Sequence, residues 1–379
     1  TENIGSFEED AMKVADFTNQ TSPTLNVRVS YSSAADLLCA LWIVGGRRHD
    51  DALADLDLGD EWFEQFEAAL SPATEHDLDA IGCGDAWVAL VPLLPEAGEG
   101  STVTAFIDYL AALEPADIRY RLMTVYDLMA EVDRDIVADA AEGVASAVAK
   151  LLDEPVLARP DMKRWRASLQ YLLELPPGET QDVLVRVLRS AHKEAFSESE
   201  EEFRPFLETD FRSRRAMARR MNPARLLEVA TSGVNLSGEH ARKPIVLMPT
   251  MVARPWNIMA EGSDYLVVGY PVGDEYLDSD SDAPPQWLVK LHKALGDERR
   301  LRVLRTLAHG DASLGDLAEQ ADIAKSTMHH HLMLLRAAGL VRIHVGDDKR
   351  YSLREETLAD ASTMLDHYIH STSYTKEGP

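Results

Sequence analysis

The chain has 379 residues, of which 38 are lysine or arginine and 64 are aspartate or glutamate, so the formal net charge is −26 at pH 7. A hydrophobic content of 45% excludes a wholly disordered chain, and the length suggests two or three domains. If this negative charge were evenly spread over the surface, it would repel nucleic acid and anionic membranes and so exclude a general binder of either. It is not evenly spread: residues 1–285 carry 25 basic and 51 acidic side chains, whereas residues 286–379 carry 13 of each.

The first residues predict a mobile or loosely docked arm over 1–24, because they have weak periodicity and end in Thr21-Ser22-Pro23. They are acidic and lack the basic and apolar regions of a signal peptide. The longest apolar run, Leu37 to Val44, is eight residues long, whereas about 20 are needed to span a bilayer. We therefore expect a cytoplasmic protein without a membrane partner. Cys39 and Cys83 are too few for a disulfide framework and are expected to be buried.

Residues 25–272 predict a mostly helical regulatory or sensor domain. It opens with a short strand, where Val27, Val29 and Tyr31 alternate with polar residues. Ser32 or Ser33 then caps a helix over 34–44, for which Gly45-Gly46 is the expected stop. Helical spacing of apolar residues continues to about residue 230, interrupted by prolines.

The segment 244–272 is β-prone instead. Ile245 to Met248 and Tyr265 to Val268 are short apolar runs, and their spacing predicts a short hairpin. Residues 273–285 predict an acidic linker. Asp278, Asp280 and Asp282 alternate as in a calcium loop, but an EF-hand would need glycine and glutamate where Ala283 and Val289 stand.

The C-terminal part has a compact order of predicted elements. The first three elements are helical segments, which carry Leu288 and Leu291, Val303 and Leu304, and Leu314 and Leu317. They are followed by the turn Asp322-Ile323, a fourth helix over 326–335, and two strands at 340–345 and 350–353. This is the order of a winged helix-turn-helix, in which the helix after the turn lies in the major groove.

Residues 287–354 resemble an ArsR-type winged-helix repressor. The resemblance rests on Leu295 to Leu304 and on Ser326 to Leu332 running into Gly339-Leu340-Val341. Residues 25–272 resemble the acidic helical extension of long-form relatives, through Ser32 to Leu41, Arg48-His49 and the segment Pro249 to Pro255. The expected fold is mainly α with small β: a helical N-terminal domain with a short hairpin, followed by a winged-helix DNA-binding and dimerisation domain at 286–370.

The expected contacts with double-stranded DNA lie at the start of the fourth helix and in the wing, which is the hairpin formed by the two strands at 340–345 and 350–353. Helix N-terminal amides, short hydroxyls and basic side chains suit phosphate oxygens, and side chains there can reach base edges. The candidates are Lys325, Ser326, Thr327, His329, His330, Lys349 and Arg350. His331 is expected to be packed instead, and some of the arginines at 299, 300, 302 and 305 are expected to pair with Asp297 and Glu298.

No metal, cofactor or enzyme activity is expected. Consecutive helical residues point about 100° apart, so the three histidines at 329–331 cannot bind one ion from a single face. The cysteine pair that the resemblance would place before the turn in metal-sensing relatives is absent from 313–321. Nucleophile-elbow, zinc-protease and Walker motifs are also missing from the sequence.

An apolar stripe on the last helix predicts a homodimer, because such a stripe on a small domain must be covered. Packing against the chain's own N-terminal domain is the alternative. The predicted interface consists of Trp287, Leu288, Leu291, Leu358, Ala361, Leu365, Tyr368 and Ile369.

The favoured function is a DNA-binding transcriptional regulator, a repressor by its resemblance, that binds operator DNA as a dimer while the N-terminal domain senses a small-molecule effector or a partner. One alternative is a protein-interaction scaffold whose winged helix docks protein, and another is an unrecognised enzyme. An effector is expected near Arg254, Trp256 and His240, which offer polar and aromatic groups. The competing interpretation of Trp256 is a plain core residue.

Overall fold

The computed structural model describes residues 25–48, 55–82, 85–124, 132–159, 162–238, 240–262, 264–277, 284–346 and 348–370. The predicted arm, Cys83 and the three aspartates of the predicted linker lie outside these residues. The described part is mainly helical with two small sheets, which confirms the predicted fold class. Within it, no helix is both long and apolar enough to cross a lipid bilayer.

The described residues before the first C-terminal helix form twelve α-helices. They are α1 Ala34–Arg47, α2 Gly59–Ala69, α3 Pro72–Ile81, α4 Asp85–Leu90, α5 Val103–Ala112, α6 Pro115–Thr124, α7 Arg134–Ala141, α8 Ala145–Leu152, α9 Lys163–Glu174, α10 Pro177–Ala191, α11 Ser197–Ala218 and α12 Pro223–Ala230. Helices α3, α6, α10 and α12 begin at a proline. Proline suits this position because its fixed φ is already helical and its missing N–H would have no partner there.

Helix α1 corrects one expectation, because it continues through Gly45-Gly46 to Arg47. Nearly all of its residues are buried, which offsets the cost of about 1 kcal/mol that each glycine brings to a helix. Arg47 also holds the last turn, since it pairs with Asp60 at 2.7 Å and lies over the Phe63 ring. Ser33 is the N-cap residue, but its hydroxyl donates to Glu200 instead of capping the helix.

The first sheet lies inside the molecule. Its strands are β1 Val27–Val29, β3 Ile245–Thr250, β4 Ile258–Glu261 and β5 Leu266–Pro271, in the order β1-β3-β5-β4. All six residues of β3 are buried. Both faces of the strand are therefore covered, as is usual for parallel pairing.

The predicted hairpin between the runs at 245–248 and 265–268 is wrong in its pairing. Strands β3 and β5 pair in parallel, with Ile245 opposite Leu266. The hairpin that does form joins β4 to β5, with Ile258 opposite Gly269. The intervening strand β4 reverses the chain, so β5 starts again in the direction of β3 and can pair with it in parallel.

The second sheet is the wing extended by a strand from the N-terminal part of the chain. Strands β6 Ala312–Ser313, β7 Val341–Val345 and β8 Arg350–Leu353 pair antiparallel, which confirms the predicted wing. Strand β2, Val234–Leu236, adds to β7 in parallel and gives the order β2-β7-β8-β6. Strand β2 was not predicted from the sequence; it has only three residues.

Five helices complete the C-terminal part. They are α13 Gln286–Leu295, α14 Glu298–Leu307, α15 Leu314–Gln320, α16 Lys325–Ala337 and α17 Glu355–His370. Their order, with the wing between α16 and α17, is the winged helix-turn-helix order that the sequence predicted.

Two hydrophobic clusters meet at the first sheet. Val246 and Met248 of β3 belong to the cluster formed by the N-terminal helices. Ile245 and Leu247 of the same strand belong to a second cluster, which also contains Leu332 of α16 and other winged-helix residues. The winged helix therefore shares a core with the preceding chain. The predicted domain boundaries at 272 and 286 remain a prediction.

Candidate nucleic-acid interface

The turn before α16 fixes how that helix leaves the core. Ser313 and Asp316 form a reciprocal capping box at the start of α15. In the turn, Asp322 adopts a left-handed backbone with φ of 52°, a conformation that aspartate tolerates better than most residues. Ile323 packs against the second cluster. Helix α16 then begins at Lys325 with its first turn at the surface.

Helix α16 has one packed face and one exposed stripe. Met328, His331, Leu332 and Leu335 are buried. Along the other face, Lys325, Ser326 and His329 are exposed, while Thr327 and His330 are half-buried. All five α16 candidates are thus accessible at least in part. Their contact with DNA remains a prediction.

The three histidines differ in their surroundings. Desolvation and the nearby cations Arg336 and Lys349 lower the pKa of His329, so its ring is neutral at pH 7 and can still form hydrogen bonds. His331 is buried, which lowers the pKa of its ring, and neither ring nitrogen has a hydrogen-bond partner. The Nδ1 atom of His330 lies 3.6 Å from a carboxylate oxygen of Asp55.

The contact with Asp55 has no counterpart in the sequence analysis. Asp55 lies in the segment before α2, 275 positions from His330 in the chain. No local pattern signals such a pairing, because it depends on how the N-terminal part packs against the winged helix. An acidic side chain therefore lies beside a residue proposed to face DNA.

The wing carries the other two candidates. Lys349 and Arg350 are both exposed. Arg350 donates a hydrogen bond to the backbone oxygen of Asp311 at 2.7 Å, which holds its side chain beside the start of β6. Across the hairpin, the His344 ring and the Ser352 hydroxyl are 2.7 Å apart.

The arginines around α14 are partly engaged, as expected. Arg300 donates to the backbone oxygens of Ala294 and Lys293, at 2.7 and 2.8 Å, and so caps the end of α13. Arg302 forms an exposed ion pair with Glu298.

The predicted dimer residues divide into covered and accessible ones. Leu288, Leu291 and Ala361 are buried within the single chain, and α13 packs against α17. Trp287, Leu365 and Tyr368 are half-buried. Leu358 and Ile369 are 37% and 62% exposed, so they are the residues that a second subunit could still cover.

The residues predicted to hold an effector do not form one pocket. Arg254 and Trp256 are buried, and His240 is half-buried. Arg254 pairs with Asp57 at 3.0 Å and with Asp274, and it lines a cavity of about 350 Å³ whose other lining residues include neither Trp256 nor His240. Among the residues that the structure describes, no three His, Cys, Asp or Glu side chains come together as possible metal ligands.

Comparison with known proteins bears on the C-terminal part. A family profile described as a helix-turn-helix domain matches residues 295–344. The transcriptional repressor SdpR of Bacillus subtilis is 34% identical over 79 residues, which are 21% of this chain and 88% of SdpR.

Two further relatives match shorter stretches of the chain. The uncharacterized HTH-type transcriptional regulator YceK of Bacillus subtilis is 39% identical over 72 residues, or 18% of this chain and 72% of YceK. The transcriptional activator HlyU of Vibrio cholerae is 40% identical over 53 residues, or 14% of this chain and 49% of HlyU.

The helix order, the exposed first turn of α16, the paired wing strands and the near-complete coverage of SdpR all agree. The chain belongs to the ArsR-type winged helix-turn-helix transcriptional regulators.

Proposed function

We propose that this DNA-binding transcriptional regulator binds operator DNA as a homodimer, represses transcription, and uses its N-terminal region to sense a ligand or a partner. The observation that carries the DNA contact is the exposed stripe of α16, with Lys325, Ser326 and His329, together with exposed Lys349 and Arg350 in the wing. Helix N-terminal groups and basic side chains of this kind bind phosphates and reach base edges.

The exposed apolar residues Leu358 and Ile369 on α17 support the proposed dimer. A twofold dimer presents two recognition helices, which read half-sites about 34–36 Å apart, one turn of DNA. Sedimentation of the purified chain should give a species of twice its mass of 42.0 kDa. Leu358→Glu with Ile369→Glu should return it to the monomer. A wild-type monomer at micromolar concentration would argue against the dimer.

We propose repression and not activation because SdpR is named a repressor, although HlyU is named an activator. A reporter gene placed behind the promoter of the gene that encodes this chain distinguishes repression from activation. Repression predicts that deleting the regulator raises reporter output, whereas activation predicts a fall.

A mobility-shift titration with DNA from the chain's own promoter region tests operator binding. We expect a specific complex that excess unrelated DNA does not remove. Absence of any specific complex at low salt, where phosphate contacts are strongest, would refute the proposal.

A further inference from the structure

The cavity that Arg254 lines lies where the N-terminal part meets the winged helix. It has a volume of about 350 Å³, and we call it the junction cavity. From the N-terminal part, its lining includes Arg214 of α11 and Val272 after β5. From the winged helix, it includes Trp287 of α13 and Met364 of α17. A molecule bound there would touch both parts of the chain.

The charges around the junction cavity are unlike those of the chain as a whole. Four basic side chains line it, Arg214, Arg254, Lys290 and Arg354, against two carboxylates, Asp274 and Glu275. The chain itself has a net charge of −26. The lining itself therefore has more basic than acidic side chains, unlike the chain as a whole.

Two of the four basic groups share the same pair of carboxylates. Lys290 lies 2.8 Å from Asp57 and 3.3 Å from Asp274. Arg254 pairs with the same two carboxylates. These four side chains form one network that joins the loop before α2 to α13 of the winged helix.

The other two basic groups have unmet hydrogen-bonding capacity. The side chain of Arg354 is 13% exposed, its nearest carboxylate oxygens, on Glu228 and Glu356, are 3.9 Å away, and its Nε atom has no hydrogen-bond partner. Arg214 is 7% exposed, and its Nη2 atom donates to Glu275 at 3.3 Å, but its Nε atom, 3.7 Å from Asp210, lacks a hydrogen bond. Both guanidinium groups are largely desolvated, and an anion is the ligand class that forms charge-assisted hydrogen bonds with such groups.

The rest of the lining supplies apolar surface. Val272 and Leu291 are buried, and Trp287 and Met364 are half-buried. Ligand sites commonly combine such a wall with a few polar groups, and their volumes start at about 300 Å³. The size suits a small ligand.

We propose that the junction cavity binds a small organic anion, with its carboxylate or phosphate group held by Arg354 and its apolar remainder packed against Trp287 and Met364. This rests on the proposed sensing role of the N-terminal region and gives that role a location and a ligand class. Ala338 and Gly339, at the end of α16, also line the cavity. A ligand that favours one packing of the two parts would thereby bias the position of the recognition helix.

Calorimetric titration of the full chain, without DNA, tests this site with three probes: phenylacetate, isovalerate and phenyl phosphate. We expect saturable binding of at least one probe and a change in tryptophan emission, because Trp287 lines the cavity. Comparison of phenylacetate with phenyl phosphate distinguishes a carboxylate site from a phosphate site.

Arg354→Gln should weaken binding about 10-fold or more, because it removes a charge-assisted contact. The matched control is Arg302→Gln, which removes an exposed arginine of α14 outside the cavity and should bind as the wild type does. If Arg354→Gln does not fold, Thr357→Leu decides, since it narrows the cavity without removing charge and should also weaken binding.

Failure of all three probes to bind saturably would overturn the proposal. Equal affinity of the Arg354→Gln and Arg302→Gln variants, or of a folded Thr357→Leu variant and the wild type, would overturn it as well. Because DNA is absent from the titration, these results are independent of operator binding, which the mobility-shift titration tests separately.

Discussion

Asp36 is a buried carboxyl group on α1, between Ala35 and Leu37, which belong to the cluster of the N-terminal helices. It is fully buried and accepts hydrogen bonds from the amides of Met251 and Val252, at 2.8 and 2.9 Å, while its other oxygen has no partner. Burial raises the pKa of Asp36 from its ordinary value of 3.8 to about 7. Between these values the folded chain keeps a proton that the unfolded chain has released, so ionisation of Asp36 opposes folding as the pH rises.

Asp36→Asn should therefore stabilise the protein increasingly between pH 5 and pH 7. The asparagine keeps an oxygen for the two amides and does not ionise. The difference in free energy of unfolding from the wild type should grow by up to about 1.4 kcal/mol per pH unit and level off above the folded pKa. Chemical denaturation at several pH values measures it.

Glu194 supplies the control for this prediction. Burial alone would raise its pKa, but hydrogen bonds from Ser71 and Thr74 lower it below the ordinary 4.5. Its stabilising effect is complete above that pH and is lost only on acidification. Glu194→Gln should thus differ from the wild type by a constant amount between pH 5 and pH 7. The same constancy for Asp36→Asn would contradict the account of Asp36.

At the scale of elements, strand β2 is the direct link between the N-terminal part and the wing. The amide of Ser237, just after β2, donates to the backbone oxygen of Val345 at 2.8 Å. At the other end of β2, the amide of Ile343 donates to the backbone oxygen of Gly233 at 2.9 Å. These bonds extend the wing sheet by one strand and hold β7 from its outer edge.

Ser237→Pro should weaken this link, because proline has no N–H to donate to Val345. The expected loss in the free energy of unfolding is about 1–3 kcal/mol, with weaker DNA binding because the wing is held less firmly. Ser237→Ala keeps the amide and should stay within about 0.5 kcal/mol of the wild type. Equal stability of the two variants would show that the added strand does not support the wing.

The segment before α2 is a second link, and it bears on the recognition helix itself. Asp55 lies beside His330, and both side chains are about half exposed. A negative charge here competes with DNA phosphates for the same face of α16. The contact is a surface pair, so its effect on affinity is small.

Asp55→Asn should raise the affinity for operator DNA about two- to fivefold, which corresponds to a surface pair of up to about 1 kcal/mol. Asp60→Asn changes the net charge equally but lies on α2, paired with Arg47. Fluorescence anisotropy with labelled DNA compares the two. Equal affinities for both variants would mean that Asp55 acts only through net charge.

The sequence predicted the elements with local signals and missed those formed by distant segments. The winged helix was predictable because its caps, turn and strand alternation lie within one stretch; the box at Ser313 is an example. The pairing of β3 with β5 depends on a return strand between them, and β2 has only three residues. The exposed α16 candidates were predictable from spacing, whereas Asp55 and the junction cavity depend on the packing of the two parts.

At the scale of the whole molecule, the structure changes the meaning of the charge distribution. The 51 acidic residues of 1–285 outnumber the 25 basic ones there, while the C-terminal part is balanced. The acidic part is not held at a distance, since it shares a core with the winged helix and reaches α16. We expect it to confine DNA to the α16 and wing surface and to keep non-specific affinity low.

The most direct test of DNA binding through this surface is its affinity for promoter DNA as a function of salt. The wild type should lose affinity steadily as salt rises, because bound DNA releases counterions. Lys325→Ala with Arg350→Ala should weaken binding at low salt and reduce the slope of log affinity against log salt by about two per protomer. An affinity and a slope equal to those of the wild type would contradict DNA binding through this surface.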